Sequence, residues 1–168
     1  MSPRVIVRPA VPDDAELIVH FVRELARFEK EPAENVRITE HDVLRDAFGT
    51  NPRFDVLIAE LDDVPVGFAL FFHNYSTWTG RPGIYVEDIF VEERVRKLSV
   101  GRRLMAAIAR IARSRGCERI DLSVLDWNPA RGFYRRLGFR HIDQWQPFRL
   151  QGDALNALAD ESDEYAIE

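Results

Sequence analysis

The run Arg96-Lys97-Leu98-Ser99-Val100-Gly101 separates a strand-like segment, Ile84 to Val91, from a helix-like segment, Arg102 to Arg115. The first segment is largely apolar, as expected of a strand buried on both faces. In the second, Val100, Leu104, Ile108 and Ile111 recur at the spacing of one helical face. A strand, a short basic loop and a helix start together make a site for a phosphorylated ligand. The N–H groups of a first helical turn have no intrahelical partners and point outward toward an anion. Arg96, Lys97, Arg102 and Arg103 add positive charge at the same place. The expected ligand is a pyrophosphate-bearing cofactor.

The rest of the chain narrows the class. Its 168 residues suit a single domain, 1–168, with a sizeable core. A composition of 46% hydrophobic and 30% charged residues reads as globular. The net charge of -5 argues against a nucleic-acid partner and is compatible with a cationic small-molecule substrate. A single cysteine, Cys117, excludes an internal disulfide. His20, His41, His73 and His141 show no ligand spacing, so no metal site is expected. Met1-Ser2-Pro3-Arg4 leads straight into a strand pattern without the apolar core of a signal peptide. No run is long enough to span a bilayer, so no membrane partner and a cytoplasmic location are expected.

Arg4 to Arg8 alternates as a strand, and Pro12-Asp13-Asp14 opens a helix carrying Leu17, Phe21, Leu25 and Phe28 on one face. Thr39 with Asp42 resembles a capping box for a second helix ending at Phe48. Strands are expected at Phe54 to Glu60 and Val64 to His73, joined by a turn at Asp62-Asp63. Tyr75 to Gly83 reads as a long loop before the strand Ile84 to Val91. After the helix ending at Gly116 come a strand, Arg119 to Leu125, and a helix from Asn128 to Gly138. A final strand or two is expected within His141 to Leu150, then a helix at Ala154 to Ala159 and a mobile acidic tail. The order predicts an α/β protein of the α+β type, with a mixed, strongly twisted sheet and helices on both faces.

This order, with a basic loop entering the long helix, resembles the GCN5-related N-acetyltransferase (GNAT) superfamily over nearly the whole chain. Within it, the sequence is most similar to diamine (spermidine/spermine) N-acetyltransferases and their bacterial relatives. The likeness is carried by Pro65-Val66-Gly67-Phe68-Ala69-Leu70, Tyr75-Ser76-Thr77-Trp78-Thr79-Gly80-Arg81, Tyr85-Val86-Glu87-Asp88-Ile89-Phe90-Val91, Asp126-Trp127-Asn128 and Phe133-Tyr134. The family's cofactor loop, Gln/Arg-x-x-Gly-x-Gly/Ala, is matched at Arg96 and Gly101, while Ser99 stands where its first glycine is usual. Lys97 and Leu98 replace a small or polar pair, and the segment Trp127-Asn128-Pro129-Ala130 is one residue shorter than in many relatives.

The resemblance implies acetyl-CoA as cofactor, with Arg96, Lys97, Leu98, Ser99, Val100, Gly101 and Arg102 at its phosphates. It implies that the backbone of Ile89, Phe90 and Val91 pairs with the pantetheine arm like an added strand. Tyr134 is then the proton donor to the departing thiolate; on residue type alone it reads as a core tyrosine. Glu87 and Asp88 are adjacent acids in an apolar strand, and regular alternation lets only one face a substrate. The resemblance implies a bulge there, with Glu87 as the base, acting through water, and Asp88 as an acidic substrate contact or a structural ion-pair partner. Asn128 either contacts the cofactor or caps the following helix. Tyr75 and Trp78 are candidates for holding a cationic substrate, or for a subunit interface. Trp127 is expected in the core, and Cys117 reads as a small buried residue.

The implied activity is transfer of acetyl from acetyl-CoA to a primary amine of a small molecule, a polyamine first and a lysine-like amino acid second. Glu29, Glu31 and Glu34 would favour a polycation, or form a solvated surface. The alternatives are a non-catalytic acyl-CoA-binding regulatory domain of the same fold and a protein or peptide N-acetyltransferase. The relatives imply a homodimer with the C-terminal strands near its interface.

Overall fold

The structure, a computed structural model, describes residues 4–161, so the acidic tail beyond them lies outside the described residues. It divides after Arg131 into two compact units. The first is built on a five-stranded sheet in the order β1-β2-β3-β4-β5, with β1 at Val5–Pro9, β2 at Asp55–Leu61, β3 at Val64–Ser76, β4 at Arg81–Val91 and β5 at Ile120–Leu122. β1 to β4 pair antiparallel, and β4 pairs parallel with β5. Two helices, α1 at Ala15–Phe28 and α2 at Glu40–Phe48, connect β1 to β2. A third, α3 at Val100–Ser114, makes the crossover that a parallel pair requires.

Strand alternation separates two packed faces. Val56, Ile58, Phe68 and Leu70 pack with Ile18, Phe21 and Leu25 of α1 and Val43 of α2. Leu57, Ala59, Ala69 and Phe71 have the opposite parity and are also buried. On that face lies α3, with Val100, Leu104 and Ile108 fully buried. Helices on both faces are therefore observed as expected. The capping box forms: the Asp42 N–H donates to Thr39 Oγ1, and the Thr39 N–H donates to the Asp42 carboxylate. The β2–β3 hairpin turns on Asp62 and Asp63, with φ of 50° and 64°, the positive pair that a two-residue turn of this hand requires.

Three expectations are corrected. Tyr75 to Gly83 is a tight hairpin rather than a long loop: Tyr75 pairs with Pro82 and Ser76 with Arg81. The turn closes through the Gly80 N–H on the Ser76 carbonyl at 2.9 Å, with Gly80 at φ 65°. β5 spans Ile120–Leu122 only, because its ladder with β4 ends at Leu122 opposite Val86. Residues 141–150 form no strand among the described residues; a strand exists only with a ladder partner, and none is supplied there.

The second unit holds the last turns of α4, Ala130–Arg136, and α5, Asp153–Asp160. Gly138, at φ 98°, stops α4, and the Phe139 N–H returns to the Tyr134 carbonyl at 3.1 Å.

Candidate active site

The site begins with a break in the β3–β4 register. Leu70 faces Asp88 and the next residue, Phe71, faces Val86, so Glu87 is the extra residue of a bulge. The expected bulge is present. Glu87 is exposed there, and Asp88 is half-buried on the face that carries Leu70. The parallel ladder ends at the same point: Val86 is the last residue of β4 paired with β5. From Glu87 to Val91, β4 keeps β3 on one side and has no ladder partner on the other among the described residues.

Asp88 sits in an environment that resists ionisation. Burial, and then the charges of Glu87 and Glu29, push its carboxyl up to about 7. Glu29 caps the C-terminus of α1, where the helix dipole is negative. Its own carboxyl is raised by burial and by Glu31. Acids from β4 and from the end of α1 thus act on one another electrostatically, and a cation entering among them relieves that repulsion.

The basic loop is shaped differently from a simple turn. Residues Glu93–Leu98 form a 3-10 helix, and Ser99, at φ 62° and ψ 18°, takes the left-handed conformation before α3. That conformation favours glycine, which accounts for the residue usual at this position. Lys97, Leu98 and Arg102 are exposed, whereas Val100 is buried and Gly101 half-buried. The Arg96 guanidinium lies over the Phe28 ring, 4.6 Å from its centroid, and its Nε–H donates to the Val91 carbonyl at 3.1 Å. Phe28 also meets Trp127, with ring centroids 6.3 Å apart, and the Lys30 ammonium stands 4.8 Å from the Trp127 ring. Trp127, expected in the core, is 46% exposed and serves as a platform for the end of α1. The stack was not legible in the sequence, where Phe28 reads only as one more residue of the α1 stripe.

Residues 19–139 match the acetyltransferase (GNAT) family. The chain belongs to that family. It is 38% identical over 167 residues to thialysine N-epsilon-acetyltransferase of Sus scrofa, covering 92% of this chain and 97% of that one. It is 31% identical over 164 residues to spermidine/spermine N(1)-acetyltransferase-like protein 1 of Homo sapiens, covering 91% of this chain and 23% of that one. Among solved structures, an integron cassette protein from V. cholerae superposes with a TM-score of 0.77 at 26% identity, over 96% of this chain and 99% of that one. The chain is therefore a GNAT acetyltransferase, similar to the spermidine/spermine type.

The remaining candidate residues of this acetyltransferase are distributed unevenly. Asn128 is buried and acts as a cap: its Oδ1 accepts the Ala130 N–H at 2.9 Å. Tyr134 is buried on α4, its ring against Phe133 and edge-on to Phe139. Tyr75 shares the parity of Phe71 and His73, which is the face opposite Asp88, and is 61% exposed. Trp78 lies at the hairpin tip, 88% exposed. The structure does not bring Tyr75 and Asp88 together. Arg102 and Arg103 are both exposed, and Arg103 also donates to the Val5 carbonyl at 3.4 Å. Cys117 is half-buried. Among the described residues no group of acids, histidines and cysteine is arranged to hold a metal, and no helix is long and apolar enough to cross a membrane.

Proposed function

We propose that this chain transfers the acetyl group of acetyl-CoA to a primary amine of a small molecule, a polyamine or a lysine-like amino acid, by direct attack in a ternary complex. The observation that carries the reading is the Glu87 bulge, placed where β4 loses its parallel neighbour. The names of two relatives, a thialysine N-epsilon-acetyltransferase and a spermidine/spermine N(1)-acetyltransferase-like protein, support a small amine.

The residues present fit acetyl-CoA. The unpaired side of Ile89 to Val91 offers backbone groups to an extended, amide-bearing arm. The N–H groups of Val100, Gly101 and Arg102 open α3 without intrahelical partners, with Lys97 and Arg102 exposed beside them. Arg96, Leu98 and Ser99 complete that loop. When bound, acetyl-CoA supplies the activated thioester.

Glu87 takes a proton from the ammonium through water, which frees the lone pair for attack. Asp88 and Glu29 draw the cation in and hold it. Tyr134 donates its hydroxyl proton to the departing thiolate. Tyr75 and Trp78 belong to a more distant contact for substrate or for a second subunit. The whole chain acts as one cytoplasmic catalytic domain in a homodimer; exposed Ile142, Trp145 and Phe148 support the second subunit alone.

The test is release of free thiol from acetyl-CoA with spermidine, putrescine, lysine, thialysine, an aminoglycoside and a peptide. Turnover of a small amine, reduced about a hundredfold in both Glu87→Gln and Tyr134→Phe, is expected. Turnover of the peptide alone, or no change in either variant, overturns the reading.

A further inference from the structure

Tyr85 of β4 lies directly across the parallel ladder from Asp121 of β5. Across the other ladder it faces Phe72, and the two rings stack with centroids 5.4 Å apart. Alternation puts Phe72, Asn74, Tyr85 and Asp121 on one face of the sheet. Leu70, two residues before Phe72, pairs with Asp88, so Asp88 shares that face. The bulge is the cause: three positions beyond Tyr85, a regular strand would have turned Asp88 the other way.

On this face the Tyr85 hydroxyl meets Ser123 Oγ at 2.7 Å, and other polar groups gather at Asp121. Its Oδ2 forms an ion pair with Arg119 Nε at 2.9 Å and accepts the Asn74 Nδ2–H at 2.9 Å. The Arg119 and Asp121 side chains remain 45% and 40% exposed. Asn74 Oδ1 is buried without a partner among the described residues. The amide thus keeps its donor on Asp121 while its acceptor goes unmatched, which costs free energy. Gly83 makes the arrangement possible, since a Cβ there would lie 2.4 Å from Asn74 Oδ1 and 3.3 Å from Arg119 Nε. An ordinary surface ion pair needs no such support.

We propose that the Arg119–Asp121 pair reads the head group of a free amino acid whose terminal amine is the one acetylated at Glu87 and Asp88. The inference rests on the acetyltransferase reading above and names the substrate class of that site. Charge supports it first. A guanidinium beside a carboxylate complements a carboxylate beside an ammonium, and the planar fork suits the carboxylate. The second ammonium of a diamine would meet Arg119 as well as Asp121. Distance supports it next. One two-residue strand repeat is about 7 Å and one strand spacing about 5 Å, so Asp121 lies on the order of 8 Å from Asp88. That is the reach of a chain of about four atoms between terminal amine and head group.

The experiment compares kcat/KM for thialysine and lysine with that for their decarboxylated diamines, in the unaltered chain, Arg119→Gln and Asp121→Asn. The unaltered protein is expected to favour the amino acids by about tenfold or more, and both variants to lose that preference through KM. A preference of the unaltered protein for the diamines overturns the proposal. So does an unchanged ratio in a folded variant, whatever the absolute rates. Should Arg119→Gln not fold, Arg119→Lys decides, because it keeps the charge and loses the fork. Absence of turnover on every amine by the unaltered protein overturns the acetyltransferase reading itself, and this assignment with it.

Discussion

Asp88 lies opposite Leu70 in the β3–β4 ladder, while Phe71, the next residue of β3, lies opposite Val86. The skipped Glu87 is exposed at the bulge and lies outside the core cluster around Phe21 and Phe68. Glu87→Gln is therefore expected to leave the melting temperature nearly unchanged and to lower kcat about a hundredfold or more. Steady-state thiol release and a thermal melt check both halves. A fall in melting temperature that accounts for the lost rate would make Glu87 structural.

Asp88 makes stability depend on pH in a definite direction. Its carboxyl titrates at about 7 in the fold against 3.8 as the ordinary value. Between those values the folded state holds a proton that the unfolded chain has released. Stability therefore falls as pH rises across that window and levels off above it. Asp88→Asn is expected to flatten this slope, so the variant should gain most, relative to the unaltered protein, at about pH 8 and least at about pH 4. Urea unfolding at both ends of the window checks it; equal gains at both would contradict the assignment.

Asp14 carries the opposite sign. It accepts from Arg8 and from the Val11 N–H, and these interactions hold its carboxyl below the usual range. Arg8 also bonds Glu60 at 2.7 Å, so one guanidinium joins β1, β2 and the start of α1. The stabilisation is present above the ordinary carboxylate pKa and is lost as pH falls through the lower folded value. Asp14→Asn is expected to cost about 2 kcal/mol at neutral pH, read from a shift in urea midpoint. Against the unaltered protein the difference should shrink in acid.

Ser99 holds a φ of 62° that its Cβ disfavours. Ser99→Gly is expected to raise stability by about 1 kcal/mol, seen as a higher melting temperature, while acetyl-CoA binding is kept. A lower melting temperature would show that the serine hydroxyl does something there that the conformation does not.

Much of this was legible because the deciding signals were local. The capping box at Thr39 and Asp42, the turn at Asp62-Asp63 and the helical stripe of α3 each depend on a few neighbouring residues, and each is found where it was read. The two acids in an apolar strand also fell where the register of β4 breaks. Failures came where a partner decides. Tyr75 to Gly83 has loop-like composition, yet it folds back as a hairpin once Ser76 and Arg81 pair. Residues 141–150 were expected to hold a strand or two, and no ladder receives them among the described residues.

The sequence by itself determined the local choices: where helices start and stop, which faces are apolar, and that a basic loop joins a strand to a helix. Helical period, capping and turn chemistry act over a few residues and are written in order along the chain. Only the tertiary structure decided that Arg96 stacks on Phe28, that Glu29 acts on Asp88, and that Asp121 shares a face with both Asp88 and Tyr85. Those relations hang on strand register and on one inserted residue at Glu87. A shift of one position sends a side chain to the other face, and nothing local to the sequence sets that shift.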